Sequence, residues 1–366
     1  MNRLRKGLVV AGTLAVLGTG TAVVASDAPA ASKAAGTPCP ASPLPPGMGG
    51  GNMPPIPMAT SVKPSDTSTS IVIKPNPADQ IMCGRTALKT VSSVVFARVP
   101  GPGGQSRDLA LDIVAPTAPG KYPLVVYIPG GGFVIAPKEG GLNLRTFVAE
   151  NKFVVASVQY RTAMDGATYR EGVSDVKSAI RYLRAHAAEY GIDPARVAVW
   201  GESAGGYLAA MVGVTNGVKA FESGDNLGQS SSVQAVIDKF GTSDTANVAE
   251  DFNPEMAGFV APGSPIARYM ADGGTPFPAA SNPLTYIDRS DPPFLIFHGN
   301  NDHIISPSQT LRLHNALRAA GVASTRYVLD GANHGDLAFA GNPAAGLPWS
   351  SREAMDIIVR FLRDPK

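Results

Sequence analysis

Ser203 lies in Gly201-Glu202-Ser203-Ala204-Gly205-Gly206, directly after the apolar run Val197-Ala198-Val199-Trp200 and directly before Tyr207-Leu208-Ala209-Ala210-Met211-Val212. A Gly-x-Ser-x-Gly turn between a buried strand and a helix holds its serine in a strained, exposed corner, at the positive end of the helix. The flanking glycines are needed because a Cβ at either position would collide with the neighbouring strand or helix. The motif alone is weak evidence, since 40 of the 366 residues are glycine; its position between strand and helix carries the weight. A serine hydroxyl is a poor nucleophile at neutral pH. It needs a base to take its proton and a carboxylate to orient that base.

Five histidines are available for the base. His186 lies within a helical pattern, His314 on a later helix, and His298 at the end of an apolar strand, while His303 follows Asp302. His334 sits in Asp330-Gly331-Ala332-Asn333-His334-Gly335-Asp336, a loop after the last strand, which is where a base at the carboxyl edge of a sheet belongs. The acid is expected from the loop after the preceding strand, Phe294-Leu295-Ile296-Phe297-His298-Gly299-Asn300-Asn301-Asp302, which offers Asp302. Asp288, Asp291 and Asp330 are rivals; the first two precede the strand, and Asp330 fits a turn cap as well. Acyl transfer also needs donors aimed at a tetrahedral oxyanion. The backbone N–H of Ala204 is one. Gly131 and Gly132, in Pro129-Gly130-Gly131-Gly132-Phe133 straight after the strand Leu124 to Ile128, are the expected others.

These groups must be brought together by an alternating framework. Val91 to Val99 and Leu109 to Ala115 are strand-like, with Pro100-Gly101-Pro102-Gly103-Gly104 as a hairpin-type break. Apolar strands follow at 124–128, 153–158, 197–200 and 294–297, with further strands at 233–240 and 325–329. Helical spacing marks Gly172 to Tyr190, Ser306 to about Ala320, and Ala354, Ile357, Ile358, Phe361 and Leu362 near the end. Fully apolar strands alternating with amphipathic helices argue for a mostly parallel central sheet of about eight strands with helices on both faces. Residues 242–292, rich in proline, glycine and aromatic side chains, interrupt the rhythm after a strand end and read as a short lid-like insertion.

The first 25 residues, with Arg3, Arg5 and Lys6 ahead of an uncharged run from Gly7 to Ala25, read as an export signal. The expected organisation is therefore signal 1–25, a Pro/Gly/Ser-rich arm 26–85, and a catalytic domain 86–366. Without the three signal cations a formal charge of +2 becomes −1, which favours neither nucleic acid nor an anionic membrane. With no second long apolar run, no stable membrane anchor is expected after processing. Cys39 and Cys83 are the only cysteines, and an oxidising compartment favours their pairing as a disulfide that holds the arm. His298, Asp302, His303, His334 and Asp336 are metal-ligand types without metal-ligand spacing, so neither a metal nor a cofactor is expected.

From about residue 107 to 363 the chain resembles the α/β-hydrolase superfamily, and within it secreted esterases similar to bifunctional acetyl-xylan/feruloyl esterases and to the hormone-sensitive-lipase-like group. The resemblance rests on Leu124 to Phe133, Tyr160-Arg161, Asp175 to Arg184, Tyr190 to the Ser203 turn, and Asp291 to Gly299 with Asp302. It implies an α/β-hydrolase fold and hydrolysis of carboxylic esters through an acyl-enzyme, with Ser203 as nucleophile, Asp302 as acid and His334 as base, the order in which that fold presents them. Substrates on this reading are small or polysaccharide-linked acyl esters. A peptidase or amidase on the same groups, and a non-catalytic exported polymer-binding protein on a hydrolase scaffold, are the competing readings. Two departures stand out. Pro129 replaces the usual histidine of His-Gly-Gly-Gly, and its fixed φ is expected to order the loop by stiffness. Asn300-Asn301-Asp302-His303-Ile304-Ile305-Ser306 stands where relatives more often read Gly-Asp-x-Asp-x-x-Val-Pro, and the acid itself is kept.

Overall fold

A computed structural model of the chain describes residues 36–43, 58–248, 257–335 and 348–366. The expected export signal, and part of both the arm and the 242–292 segment, lie outside these described residues. The central sheet contains β4 (Leu88–Pro100), β5 (Ser106–Pro116), β6 (Tyr122–Ile128), β7 (Val154–Val158), β8 (Ile192–Glu202), β9 (Ala235–Lys239), β10 (Phe294–Gly299) and β11 (Ser324–Leu329). β4 and β5 form the antiparallel hairpin, β5 is antiparallel to β7, and every pairing from β7 through β6, β8, β9 and β10 to β11 is parallel. These eight strands match the apolar runs.

A ninth strand was not expected. β2 (Ile71–Ile73) comes from the arm and pairs in parallel with β11, Ile71 opposite Tyr327, giving the order β2-β11-β10-β9-β8-β6-β7-β5-β4. Ile71-Val72-Ile73 has the β-branched character of a strand, but three residues are too few to stand out inside a segment dominated by proline, serine and threonine. Being short suits an edge position, where a long strand would invite pairing with another chain. The arm is tied down elsewhere too. β1 (Thr37–Pro38) pairs with β3 (Met82–Cys83), next to a Cys39–Cys83 disulfide. Ala59 exchanges bonds with His303, whose carbonyl accepts from the Ala59 N–H at 2.8 Å while its Nδ1 lies 2.6 Å from the Ala59 carbonyl. Gly36–Lys366 accordingly forms one compact unit.

Among the described residues the helices are α1 (Leu142–Glu150), α2 (Tyr169–Ala185), α3 (Ala187–Tyr190), α4 (Ala204–Val214), α5 (Ala257–Val260), α6 (Pro265–Tyr269), α7 (Ser308–Ala319) and α8 (Arg352–Arg363). Successive strand residues point to opposite faces, so each apolar strand feeds two cores. Leu124, Val126 and Ile128 of β6 pack with α2 and α4, whereas Val125 and Tyr127 pack with α1 and α8. Both faces being covered is why these strands read as unbroken apolar runs. The helix expected over 172–190 starts earlier, capped by Thr168 and Glu171, and breaks at His186 before Gly191 closes α3 at φ 69°. In the described parts of 242–292, α5, α6 and three single 3-10 turns replace regular structure. This segment is anchored to the sheet: the Tyr207 hydroxyl of α4 donates to the Ser281 carbonyl at 2.7 Å, and buried Tyr269 stacks on Phe133 at 4.7 Å.

The disulfide closes a loop of 44 positions. A Cys39→Ser, Cys83→Ser double variant is expected to lose roughly 4 kcal/mol of unfolding free energy on the chain-entropy account. Urea unfolding reads this directly, and an unchanged midpoint and slope would contradict it.

Candidate active site

β8 ends at Glu202 and α4 begins at Ala204, so Ser203 alone makes the turn, at φ 55° and ψ −120°. A non-glycine residue at such a φ is strained, by about 1–3 kcal/mol, and persists only when its surroundings over-determine it. They do so here. The Ser203 N–H donates to the Lys239 carbonyl at the end of β9 at 2.9 Å, and its carbonyl accepts from the Tyr207 N–H at 3.1 Å. A Cβ on Gly205 would lie 2.0 Å from the Ile128 carbonyl oxygen, and one on Gly201 would lie 1.9 Å from that of Gly205, so both flanking glycines are required by close approach. Glu202 is fixed by the Tyr127 hydroxyl at 2.9 Å and the Lys239 ammonium at 2.5 Å. Lys239 is buried among the rings of Trp200, Phe240 and Trp349, with Nζ 5.1–5.6 Å from each centroid. These stabilise a cation withdrawn from water.

The loops after β10 and β11 carry Asp302 and His334 to this corner. His334 Nε2 is 2.8 Å from Ser203 Oγ, and His334 Nδ1 is 2.8 Å from Asp302 Oδ2. The imidazole packs edge-on against Phe240, centroids 4.7 Å apart. Asp302 is 2 % exposed. Its Oδ1 accepts from the N–H groups of Ile304 and Ile305, both at 2.9 Å, and its Oδ2 also lies 3.1 Å from His298 Nε2. Burial opposes its charge, yet the His334 and His298 rings outweigh burial and hold the carboxyl well below the usual carboxylate range.

The rival acids stand elsewhere. Asp330 accepts from Asn300 Nδ2 and pairs with Lys74; Asp288 and Asp291 bond within the turn ahead of β10. His186 pairs with Glu189, and His314 contacts Ser324 and the Thr69 carbonyl. Asn333, unassigned from sequence, joins the two site loops: its Oδ1 accepts from the His303 N–H at 3.0 Å and from the His334 N–H at 2.7 Å. No pattern in the chain marks it beyond its position beside His334.

The loop after β6 lies against Ser203, since a Cβ on Gly130 would stand 3.1 Å from Ser203 Cβ. Gly131 has φ 147°, and a Cβ there would fall 2.3 Å from the Ile135 carbonyl oxygen. Among the described residues, the N–H groups of Gly131, Gly132 and Ala204 donate to no protein acceptor. Pro129 does not order this loop by stiffness alone. Its carbonyl accepts from the buried Tyr160 hydroxyl at 3.0 Å, and burial pushes the Tyr160 pKa up, keeping it a donor. Among the described residues no cluster of three or more His, Cys, Asp or Glu could hold a metal ion.

With an α/β sheet, a serine on a strained strand–helix turn and a His–Asp pair at the same sheet edge, comparison with known proteins is decisive. Residues 111–317 match the BD-FAE family model. The chain belongs to the BD-FAE family. It has the α/β-hydrolase fold of serine esterases. Its relatives include esterases. It is 32 % identical to Esterase LipQ of Mycobacterium tuberculosis over 241 residues, 64 % of this chain and 55 % of LipQ. It is 29 % identical to the probable isoprenylcysteine alpha-carbonyl methylesterase ICMEL1 of Arabidopsis thaliana over 252 residues, 67 % of this chain and 52 % of that protein. The chain thus spans about half the length of the curated relatives it matches. A truncated carbohydrate esterase from gut microbiota superposes with a TM-score of 0.63 and 26 % identity, covering 80 % of this chain and 99 % of the other. Butyrate-bound esterase 2 of Thermogutta terrifontis gives 0.59 and 26 %, covering 77 % and 96 %.

In this BD-FAE chain Gly205→Ala must move Ile128 or the start of α4. The substitution is expected to lower stability by about 2–4 kcal/mol, the range of severe steric changes. An unaltered urea midpoint in the purified variant would contradict the close approach of Gly205 to the Ile128 carbonyl.

Proposed function

We propose that this chain is a carboxylic-ester hydrolase working through an acyl-enzyme. The observation that carries the proposal is the unbroken line of contacts from Ser203 Oγ through His334 to Asp302, each step 2.8 Å. Asp302, which when ionised can only accept, receives the hydrogen bond from His334 Nδ1–H, holding the proton on Nδ1 and leaving Nε2 free to accept from the serine hydroxyl. Ser203 Oγ then attacks the ester carbonyl while its proton passes to Nε2. The oxyanion that forms is received by the otherwise unbonded N–H groups of Gly131, Gly132 and Ala204. Removing one such donor typically costs about 10²–10³ in turnover. His334 returns the proton to the departing alcohol, and water, activated at Nε2, releases the acid and restores Ser203. No cofactor enters this sequence.

The substrates proposed are small or polysaccharide-linked acyl esters. Esterase relatives and the carbohydrate esterase fold neighbour support that range. The proposed setting is extracytoplasmic: a basic, then apolar, first 25 residues and a Cys39–Cys83 disulfide support export. Among the described residues no helix is long and apolar enough to cross a membrane.

Ser203→Ala is expected to cut turnover of p-nitrophenyl acetate by about a million-fold, the scale of triad-serine knockouts. Equal rates for variant and parent, both purified, would remove the acyl-enzyme reading.

A further inference from the structure

Behind Asp302, on the side away from Ser203, lies a buried line of polar side chains that the reaction above does not use. His298 is next to last in β10, Thr310 is in the first turn of α7, and Arg326 is in β11; all three are at most 1 % exposed. Arg326 can only donate. Its Nε reaches Thr310 Oγ1 at 3.1 Å, its Nη2 the Pro307 carbonyl at 2.8 Å, and its Nη1 the hydroxyl of Ser70 in the arm at 2.8 Å. Thr310 Oγ1, having accepted from Arg326, directs its own proton elsewhere. Two acceptors are within range: His298 Nδ1 at 2.8 Å and the Pro307 carbonyl at 3.5 Å, the latter already taken by Arg326. The shorter, unoccupied acceptor is Nδ1.

The other ring nitrogen leads to the same assignment. His298 Nε2 faces two oxygens that can only accept, the Ile305 carbonyl at 3.0 Å and Asp302 Oδ2 at 3.1 Å. A lone pair there would oppose both, so Nε2 carries the hydrogen. Burial, outweighing the opposing pull of Asp302, also holds the His298 pKa below its usual value, which favours the neutral ring that these two hydrogen-bond assignments require. The charged groups acting on this line are Asp302 and Arg326 directly, with Asp238 of β9 and Asp66 of the arm acting on Arg326.

We infer that Arg326, through Thr310, fixes His298 as a neutral Nε2–H donor to Asp302, and that His298 is thereby a positioning residue for the triad. Asp302 Oδ2 then receives one N–H from each of two imidazoles, and Oδ1 receives two backbone N–H groups. The carboxylate is pinned in place and bonds His334 from a single orientation. This rests on the proposed role of Asp302 and extends it: the acid is set by a polar chain that starts at the arm, at Ser70.

Three measurements on the full chain test it. In ¹⁵N-imidazole NMR at pH 7, His298 is expected to show a protonated Nε2 and an unprotonated Nδ1; the opposite tautomer, or a doubly protonated ring, overturns the inference. Thr310→Val keeps the side-chain shape and removes the hydroxyl. It is expected to lower kcat on p-nitrophenyl acetate by about tenfold, the low end of what losing an outer hydrogen-bond partner costs at metal-bound histidines, with KM changed less than twofold and a shifted acid limb in the pH–kcat/KM profile. Thr310→Ser, which restores the hydroxyl, should recover kcat to within about twofold of the parent on that same scale. If Thr310→Val retains the parent kcat and pH profile while Ser203→Ala is inactive, the chain behind Asp302 has no positioning role and the triad stands. If Ser203→Ala is itself active, both readings fall together.

Discussion

The Asp302 carboxylate is the constraint on which the site depends. A carboxylate withdrawn from water costs several kcal/mol unless donors replace its hydration. Here two amides and two imidazoles do so. The same donors that make burial tolerable also hold the carboxylate in one place. A fixed acceptor beside Nδ1 determines which nitrogen of His334 is left for the serine. Parallel strands make this possible: β8, β10 and β11 run the same way, so the loops carrying Ser203, Asp302 and His334 leave the sheet at one edge.

Strain and packing are matched at Ser203. Ser203 occupies a backbone region unfavourable to any side chain, and the surrounding lattice of close contacts leaves the chain no relaxed alternative. Ile128 blocks any side chain at Gly205, and Lys239 supplies both a carbonyl to the Ser203 amide and an ammonium to Glu202. Phe240, next in sequence, carries contacts onward to His334 and Trp349. One strand end, Lys239-Phe240, therefore sets both the serine corner and the imidazole plane.

Much of this was legible before any coordinates. Two-faced burial leaves largely apolar runs, which is why the six strands from 124 to 329 could be read, the two before them being marked by strand-like residues around a Pro/Gly break. Ser203, Asp302 and His334 could be read because each follows such a run in a loop of telling composition. What escaped notice has a common cause. Ile71–Ile73 joins the sheet only because β11 offers an open edge, and a three-residue strand has no periodicity of its own. The Tyr160 bond to Pro129, the Asn333 bridge and the His298–Thr310–Arg326 line join residues remote in sequence whose types are ordinary. Pro129 was readable as a departure, but the hydroxyl that holds its carbonyl was not. Such contacts leave no trace in spacing; they exist only after the sheet has brought strand ends together.

The most direct measurement is mass-spectrometric mapping of the adduct formed by a fluorophosphonate, which phosphonylates an activated serine. Ser203 should carry a single, stoichiometric adduct at neutral pH, and Asp302→Asn should slow its formation by orders of magnitude while leaving the fold intact by circular dichroism. An adduct on another residue, or labelling of Ser203 at the same rate without the Asp302 charge, would contradict a serine activated through His334 by a fixed buried carboxylate.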